Sequence, residues 1–477
     1  MRGGDETRVG GFLPAILVST SALKLSLAWL LPGFLTGDDV EVVETAARCA
    51  SGLDYTPSAI RSLVHPLLLA CPVVRLGLLA GLGGPRWITL LASLPTVAFS
   101  TAAIALLHRL ARALGLTPSG ARVATLLYAL HWLPLGYGST PFPRPISSCL
   151  LLASFLLLAE TGERPGAGAL AAGMLAAAAT AVRWSEAVAL LPLLAFAALR
   201  TRGVRRPVLV LAGFVVAALG LWGLFDLWTW GRPFSSLHAF VDLTRDPNLG
   251  GFHPRPFLWY LTMVLQWAGP VLLALAACGW ADPRSRLPLG IALAFVALLS
   301  FSPIKQFRYL QFAVPFLALA AAVGWERLRA DRAWKWVASA ALLLYVPLEL
   351  ERTFHLLGGK SEAALAAVRD IARSTPPVRR VALEQAWAYG DRLYLGNGVE
   401  IRDLPPTRPL DRARVREAAE NADAVALYAA DLDSTVEQTL AEGGFRRCTA
   451  YERLRSPPVL LYRPVTLPCP AGGSDRD

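Results

Sequence analysis

The feature that most limits this chain is a succession of long apolar runs, at 11–33, 86–108, 122–138, 146–159, 168–182, 186–199, 208–226, 258–279, 288–302, 307–323 and 335–350. A bilayer core about 30 Å thick is crossed by roughly 20 apolar residues, with roughly 17 as a lower limit unless the helix ends are sheltered. The pattern predicts an all-α polytopic membrane domain over residues 1–350 with about 11 transmembrane helices, the short ones needing protein neighbours. Composition agrees, with 54% hydrophobic and 17% charged residues, where soluble domains are about a quarter charged. A plain globular enzyme is excluded. Lys24 interrupts the first run and no small-residue cleavage site precedes the next polar loop, so the run reads as a retained helix rather than a signal peptide.

The formal charge of +11 comes from 46 basic and 35 acidic side chains; residues 351–477 hold 18 of each, so the excess belongs to the apolar part. Only four of the basic residues are lysines, and the arginines sit between apolar runs, which is the signature of membrane topology rather than of a nucleic-acid partner. With the N-terminus inside, the inner segments hold 16 Lys/Arg in 61 residues and the outer ones 11 in 100. That density places the N-terminus in the cytoplasm and residues 351–477 outside, in a multi-pass protein of the plasma membrane. The run 63–82 would reverse this order if it crossed; Pro66, Pro72 and Arg75 interrupt it, and it reads as an interfacial or re-entrant segment. The six cysteines show no CxxC and no metal spacing, so no disulfide framework is implied, although Cys448 and Cys469 can pair in an oxidising compartment.

Two outer loops, 34–86 and 227–257, are far longer than the inner turns, and long ordered loops on one face are where function concentrates. Beyond 351 the pattern changes to helix 361–374, strand 378–384, helix 411–421, strand 422–428, helix 431–443 and strands near 445–452 and 458–463. This predicts a small extracytoplasmic α/β domain, without a Gly-rich phosphate loop.

The first outer loop opens with Thr36-Gly37-Asp38-Asp39, then Glu41 and Glu44. Carboxylates this close raise one another's proton affinity, as suits a general base or a metal site. The same residues also suit a helix start, with Asp38 or Asp39 capping a helix over 40–51. Arg61, Ser62, His65 and Pro66 follow. Arg144 lies in a short outer turn, Arg183 in the break Arg183-Trp184-Ser185 between two short helices, Lys305 and Arg308 between two further helices, and His253, Trp259 and Tyr260 in or after the second long loop. Arginines singly are explained by snorkelling. Jointly, on one face and in helix breaks, they suit an anionic substrate such as a phosphate.

This order of features resembles the C-type glycosyltransferases, and within them the polyprenyl-phosphate-mannose-dependent mannosyltransferases of GPI-anchor and N-glycan assembly. The acidic motif after the first helix is matched by Thr36-Gly37-Asp38-Asp39 and Glu44, and the R-S-x-x-x-P motif by Arg61 to Pro66. An R-P-T-like break is matched by Arg183-Trp184-Ser185, D-x-x-x-Y-G by Asp226 to Gly231, H-P-x-x-W-Y by His253-Pro254 and Trp259-Tyr260, and the late H-K-E-x-R-F motif by Ile304 to Tyr309 with Pro315. The sequence departs from the pattern at Thr36-Gly37, Ile304 and Gln306, and Glu44 is one position out of register.

The resemblance implies an inverting transfer of one sugar, mannose in these relatives, from a polyprenyl-phosphate donor to a glycan or glycolipid acceptor on the outer face. It assigns Asp38 and Asp39 to catalysis and Lys305, Arg308 and Arg183 to the donor phosphate. Glu44, Arg61, His65, Arg144, His253, Trp259 and Tyr260 become acceptor or sugar contacts. It implies no cofactor, a divalent metal at Asp38 and Asp39 being the lesser reading. A lipid-linked-sugar transporter, or a catalytically silent scaffold of the same fold, is the alternative from another class.

Overall fold

The computed structural model describes residues 11–54, 62–160, 166–201, 203–245, 254–360, 362–390, 392–405, 410–453 and 456–470. Arg61 and His253 lie outside the described residues. The chain packs as two compact units, one from residues 1–26, 56–69 and 93–353, the other from 27–55, 70–92 and 354–477.

The first unit is helical, and each of the predicted apolar runs falls on helix. Among the described residues five helices are long and apolar enough to cross a membrane: Phe12–Leu30, Pro85–Ala113, Arg205–Trp230, Pro283–Ser300 and Phe307–Ala330. The protein is thus a multi-pass membrane protein, with fewer helices of full spanning length than the about 11 expected. The reasons are local. The run 122–138 divides at His131 into Pro118–Leu130 and Trp132–Tyr137. The run 258–279 becomes Trp259–Thr262, Val264–Trp267 and Pro270–Gly279, because Gly269 adopts φ 82 and Pro270 cannot donate a backbone hydrogen bond. Lys335–Gly358 has 24 residues but carries Glu349, Glu351 and Arg352 in its second half. The segment expected to be interfacial forms an apolar helix, Val64–Leu79, shorter than the five above. Lys24, anomalous in an apolar run, is buried and donates to Ser100 Oγ at 2.7 Å, and Ser100 Oγ donates to the Pro134 carbonyl at 3.2 Å. Such pairing is what keeps a charge tolerable inside a bilayer.

The second unit contains a five-stranded sheet, in the order β2-β1-β3-β5-β4. β1 (Arg380–Glu384) runs parallel to β2 (Glu400–Leu404) and β3 (Ala424–Tyr428), while β5 (Ser456–Pro464) is antiparallel to β3 and to β4 (Phe445–Arg453). Every residue of β3 is buried, as expected of a strand covered on both faces. Helix Glu362–Ala372 contributes Leu365, Val368 and Ile371 to one side of the sheet; Val415 and Leu440 of helices Arg412–Ala419 and Ser434–Glu442 line the other. The predicted elements all appear. β2 was not expected, because Glu-Ile-Arg-Asp-Leu alternates charge and lies at the sheet edge, where it needs no apolar run.

Residues 34–54 and 70–86 of the first long loop belong to this same core. Helix Gly37–Ala50 buries Val40, Val43 and Ala46 beside Ala70, Cys71 and Val74, and together with Leu383, Ala426 and Leu461 of the sheet they form one apolar cluster. The disulfide Cys49–Cys71 closes within it, and a second, Cys448–Cys469, ties β4 to the residues after β5. The second was anticipated as an option. The first corrects the expectation that no framework exists, because cysteines 22 residues apart on two helices leave no spacing signature.

Candidate functional site

The arginines expected to face an anion converge in the first unit. Arg144 opens the helix Arg144–Glu160, Arg183 ends its neighbour at the break before the 3-10 turn Trp184–Ala189, and Arg308 lies in the 3-10 turn Phe307–Phe312. The guanidinium carbons of Arg183 and Arg308 each stand 5.2 Å from the Phe142 ring centre, and those of Arg144 and Arg308 stand 4.6 and 5.9 Å from that of Tyr309. Three cations thus share two rings. Rings stabilise cations by about 0.5–2 kcal/mol, but like charges repel, and an anion among them relieves that repulsion.

Glu186 organises one side of the cluster. Its carboxylate pairs with Arg144 at 3.4 Å, both side chains fully buried, and accepts hydrogen bonds from Ser147 and Ser185; Arg144 also donates to Ser185 Oγ at 3.0 Å. Arg144, expected as a sugar contact, is therefore part of the cation group. Ser62 donates to the Ala181 carbonyl, two residues before Arg183, which fastens the R-S-x-x-x-P segment to this break. His65 follows in the π-helical turn Val64–Ala70, buried, with both ring nitrogens lacking a partner among the described residues. Burial pushes its pKa down to about 3, so the imidazole is neutral.

The second outer loop and the late motif are tied to each other. The Arg255 N–H donates to the Pro303 carbonyl, and Lys305 Nζ donates to the carbonyls of Arg255 at 3.1 Å and Ser302 at 2.5 Å. Lys305 is buried, which lowers its pKa. Tyr260 is fully buried, with its hydroxyl on both backbone groups of Gln306 at 3.2 Å. Trp259 stacks on Phe307 at 4.9 Å, and Arg255 stands over the Trp259 ring at 4.3 Å. Asp226, buried, accepts from the Ser236 N–H and hydroxyl at 2.8 and 2.6 Å and so fixes the start of the helix Ser235–Arg245.

The acidic pair lies in the second unit. The helix starts three residues earlier than expected, at Gly37 with Thr36 as N-cap, so Asp38 and Asp39 occupy its first turn rather than the cap. The helix dipole favours carboxylates there. Asp39 is fully buried and accepts from the Leu35 N–H at 2.9 Å and the Thr36 hydroxyl at 3.4 Å. Asp38 is 5% exposed. Lys360 interacts electrostatically with Asp39 and donates to the Leu31 carbonyl at 2.8 Å; burial brings its pKa down to about 8. Glu44, partly buried, has a raised pKa because of that burial. Among the described residues no group of three or more His, Cys, Asp or Glu is placed to hold a metal ion. Phe142 and Lys360 escaped the sequence reading: neither stands in a motif, though Lys360 is one of only four lysines.

The fold has solved counterparts. ArnT from Cupriavidus metallidurans, in a crystal structure bound to undecaprenyl phosphate, superposes with a TM-score of 0.60 at 14% identity, over 95% of this chain and 98% of that one. The Archaeoglobus fulgidus oligosaccharyltransferase gives 0.51 at 12% identity, over 87% and 69%. The mycobacterial arabinofuranosyltransferase AftD gives 0.54 at 18% identity, over 97% of this chain and 40% of that one. These likenesses show the fold. The Alg9-like mannosyltransferase family matches residues 52–376, and the chain belongs to it.

Proposed function

We propose that the protein transfers one sugar, mannose, from a polyprenyl-phosphate donor to a glycan or glycolipid acceptor outside the cytoplasm, with inversion at the sugar carbon. The observation that carries this reading is the convergence of Arg144, Arg183 and Arg308 around Phe142 and Tyr309. Arg183 and Arg308 hold the lipid phosphate, with Lys305 as a further cation. The acceptor oxygen attacks the anomeric carbon, the bond from that carbon to the phosphate oxygen breaks, and the polyprenyl phosphate leaves as an anion that needs no proton. Asp38 takes the acceptor hydroxyl proton, and Asp39 fixes the turn that carries it. Glu44, Arg61, His65, His253, Trp259 and Tyr260 are assigned to the surroundings of sugar and acceptor. A lipid-phosphate ligand in ArnT of the same fold supports the donor class; the family supports the sugar.

The test is purified protein in lipid nanodiscs with radiolabelled polyprenyl-phosphate mannose and a glycolipid extract as acceptor. Label moving to the acceptor with release of polyprenyl phosphate is expected, faster than from glucose or arabinose donors. Preference for another sugar would overturn the mannose assignment, and movement of intact donor across the bilayer without transfer would replace the enzyme by a transporter.

The orientation, with eleven crossings and the tail outside, draws support from both disulfides lying in the second unit, since such bonds persist in oxidising compartments. Cysteine introduced at Gly203 is expected to resist an impermeant maleimide in intact cells, and cysteine at Glu420 to react. The reverse pattern would put the proposed site on the wrong side.

A further inference from the structure

A cavity of about 510 Å³ in the first unit is lined by Thr117, Ser119, Arg122, Trp325, Glu326 and Arg329 among others. Its one carboxylate is already engaged: Glu326 accepts from the Thr117 N–H and hydroxyl, at the start of the helix Pro118–Leu130, and pairs with Arg284 at 2.7 Å. Gly120 permits that approach, because a Cβ there would overlap Glu326 Oε1.

The two cations are differently placed. Arg122 stands 6.0 Å from the Phe12 ring centre and Arg329 5.0 Å from that of Trp325, and among the described residues neither makes an ion pair. Trp325 is 6% exposed, and its indole N–H has no acceptor among the described residues. An N–H buried without a partner costs about 1–3 kcal/mol, a cost that a ligand oxygen removes. The Ser119 hydroxyl is already on Thr117 Oγ1 at 2.9 Å, and the two arginine forks with the indole donor match a phosphate. The segments that form the cavity, 109–122 and 324–335, hold 7 of the 16 inner basic residues counted from the sequence, three in the first and four in the second, and the inner leaflet is where anionic lipids concentrate.

We propose that this cavity binds the phosphate of an anionic membrane lipid headgroup. The experiment compares the full chain in nanodiscs of phosphatidylcholine alone and of phosphatidylcholine with phosphatidylglycerol, reading the unfolding temperature and the phosphatidylglycerol retained by native mass spectrometry. Phosphatidylglycerol is expected to raise the unfolding temperature and to be retained. The variant R122Q/R329Q should lose retention by about fivefold per arginine, equivalent to about 1 kcal/mol each. Equal retention by the variant overturns the site. If inorganic phosphate added to phosphatidylcholine discs gives the same stabilisation, the ligand is free phosphate and the lipid assignment is overturned. Should the double variant not fold, R329Q, at an exposed position, carries the same comparison.

Discussion

Asp38→Asn is expected to abolish sugar transfer while leaving the donor bound. The substitution keeps the size and hydrogen-bonding reach of the side chain on the first turn of Gly37–Ala50 but removes the ability to accept the acceptor proton. General-base assistance is worth typically 10²–10⁴-fold, and a loss of that order in turnover, with radiolabelled donor still retained, is the expected result. Asp39→Asn should behave differently. Asp39 is fully buried and accepts from Leu35 and Thr36, so its loss should lower the unfolding temperature more than it lowers turnover. An active Asp38→Asn beside a dead Asp39→Asn would move the base by one residue. If both stay active, the pair serves only the helix start and the base lies elsewhere.

The arginine cluster should separate into two kinds of loss. Removing Arg183 or Arg308 takes away a charge-assisted hydrogen bond to the donor phosphate, worth about 1.5–3 kcal/mol, or roughly ten- to hundredfold in kcat/KM at about 1.4 kcal/mol per decade. The double variant should lose roughly 10²–10⁴-fold if the two act independently. Arg144→Leu removes the partner of Glu186, whose side chain is fully buried, and leaving a buried charge unpaired costs about 3–5 kcal/mol. It should therefore appear first as a fall in unfolding temperature. A double variant lacking Arg183 and Arg308 that retains kcat/KM for the polyprenyl-phosphate donor would remove the phosphate from this cluster.

Sequence patterning determined what depends on short-range chemistry. Apolar runs became helices because a backbone inside a bilayer must satisfy its hydrogen bonds within the segment, and short apolar segments of the tail such as β1 and β3 became strands covered on both faces. The same logic located Arg183 in a helix break and Asp38 and Asp39 at a helix start. Tertiary structure alone decided which of these residues meet. Arg144, Arg183 and Arg308 come from three elements separated by up to 164 positions (308 − 144), and they share rings because Phe142 and Tyr309 fill the space between those elements. Cys49 and Cys71 pair because two helices pack in one apolar cluster with a distant sheet. Asp226, Tyr260 and Lys305 stand in motifs legible in the sequence, but the partners they bond to, 3–50 residues away in the chain, are not. Periodicity records which face of an element is apolar. It carries no record of the partner across a helix break, because that pairing depends on packing between segments that the local sequence does not encode.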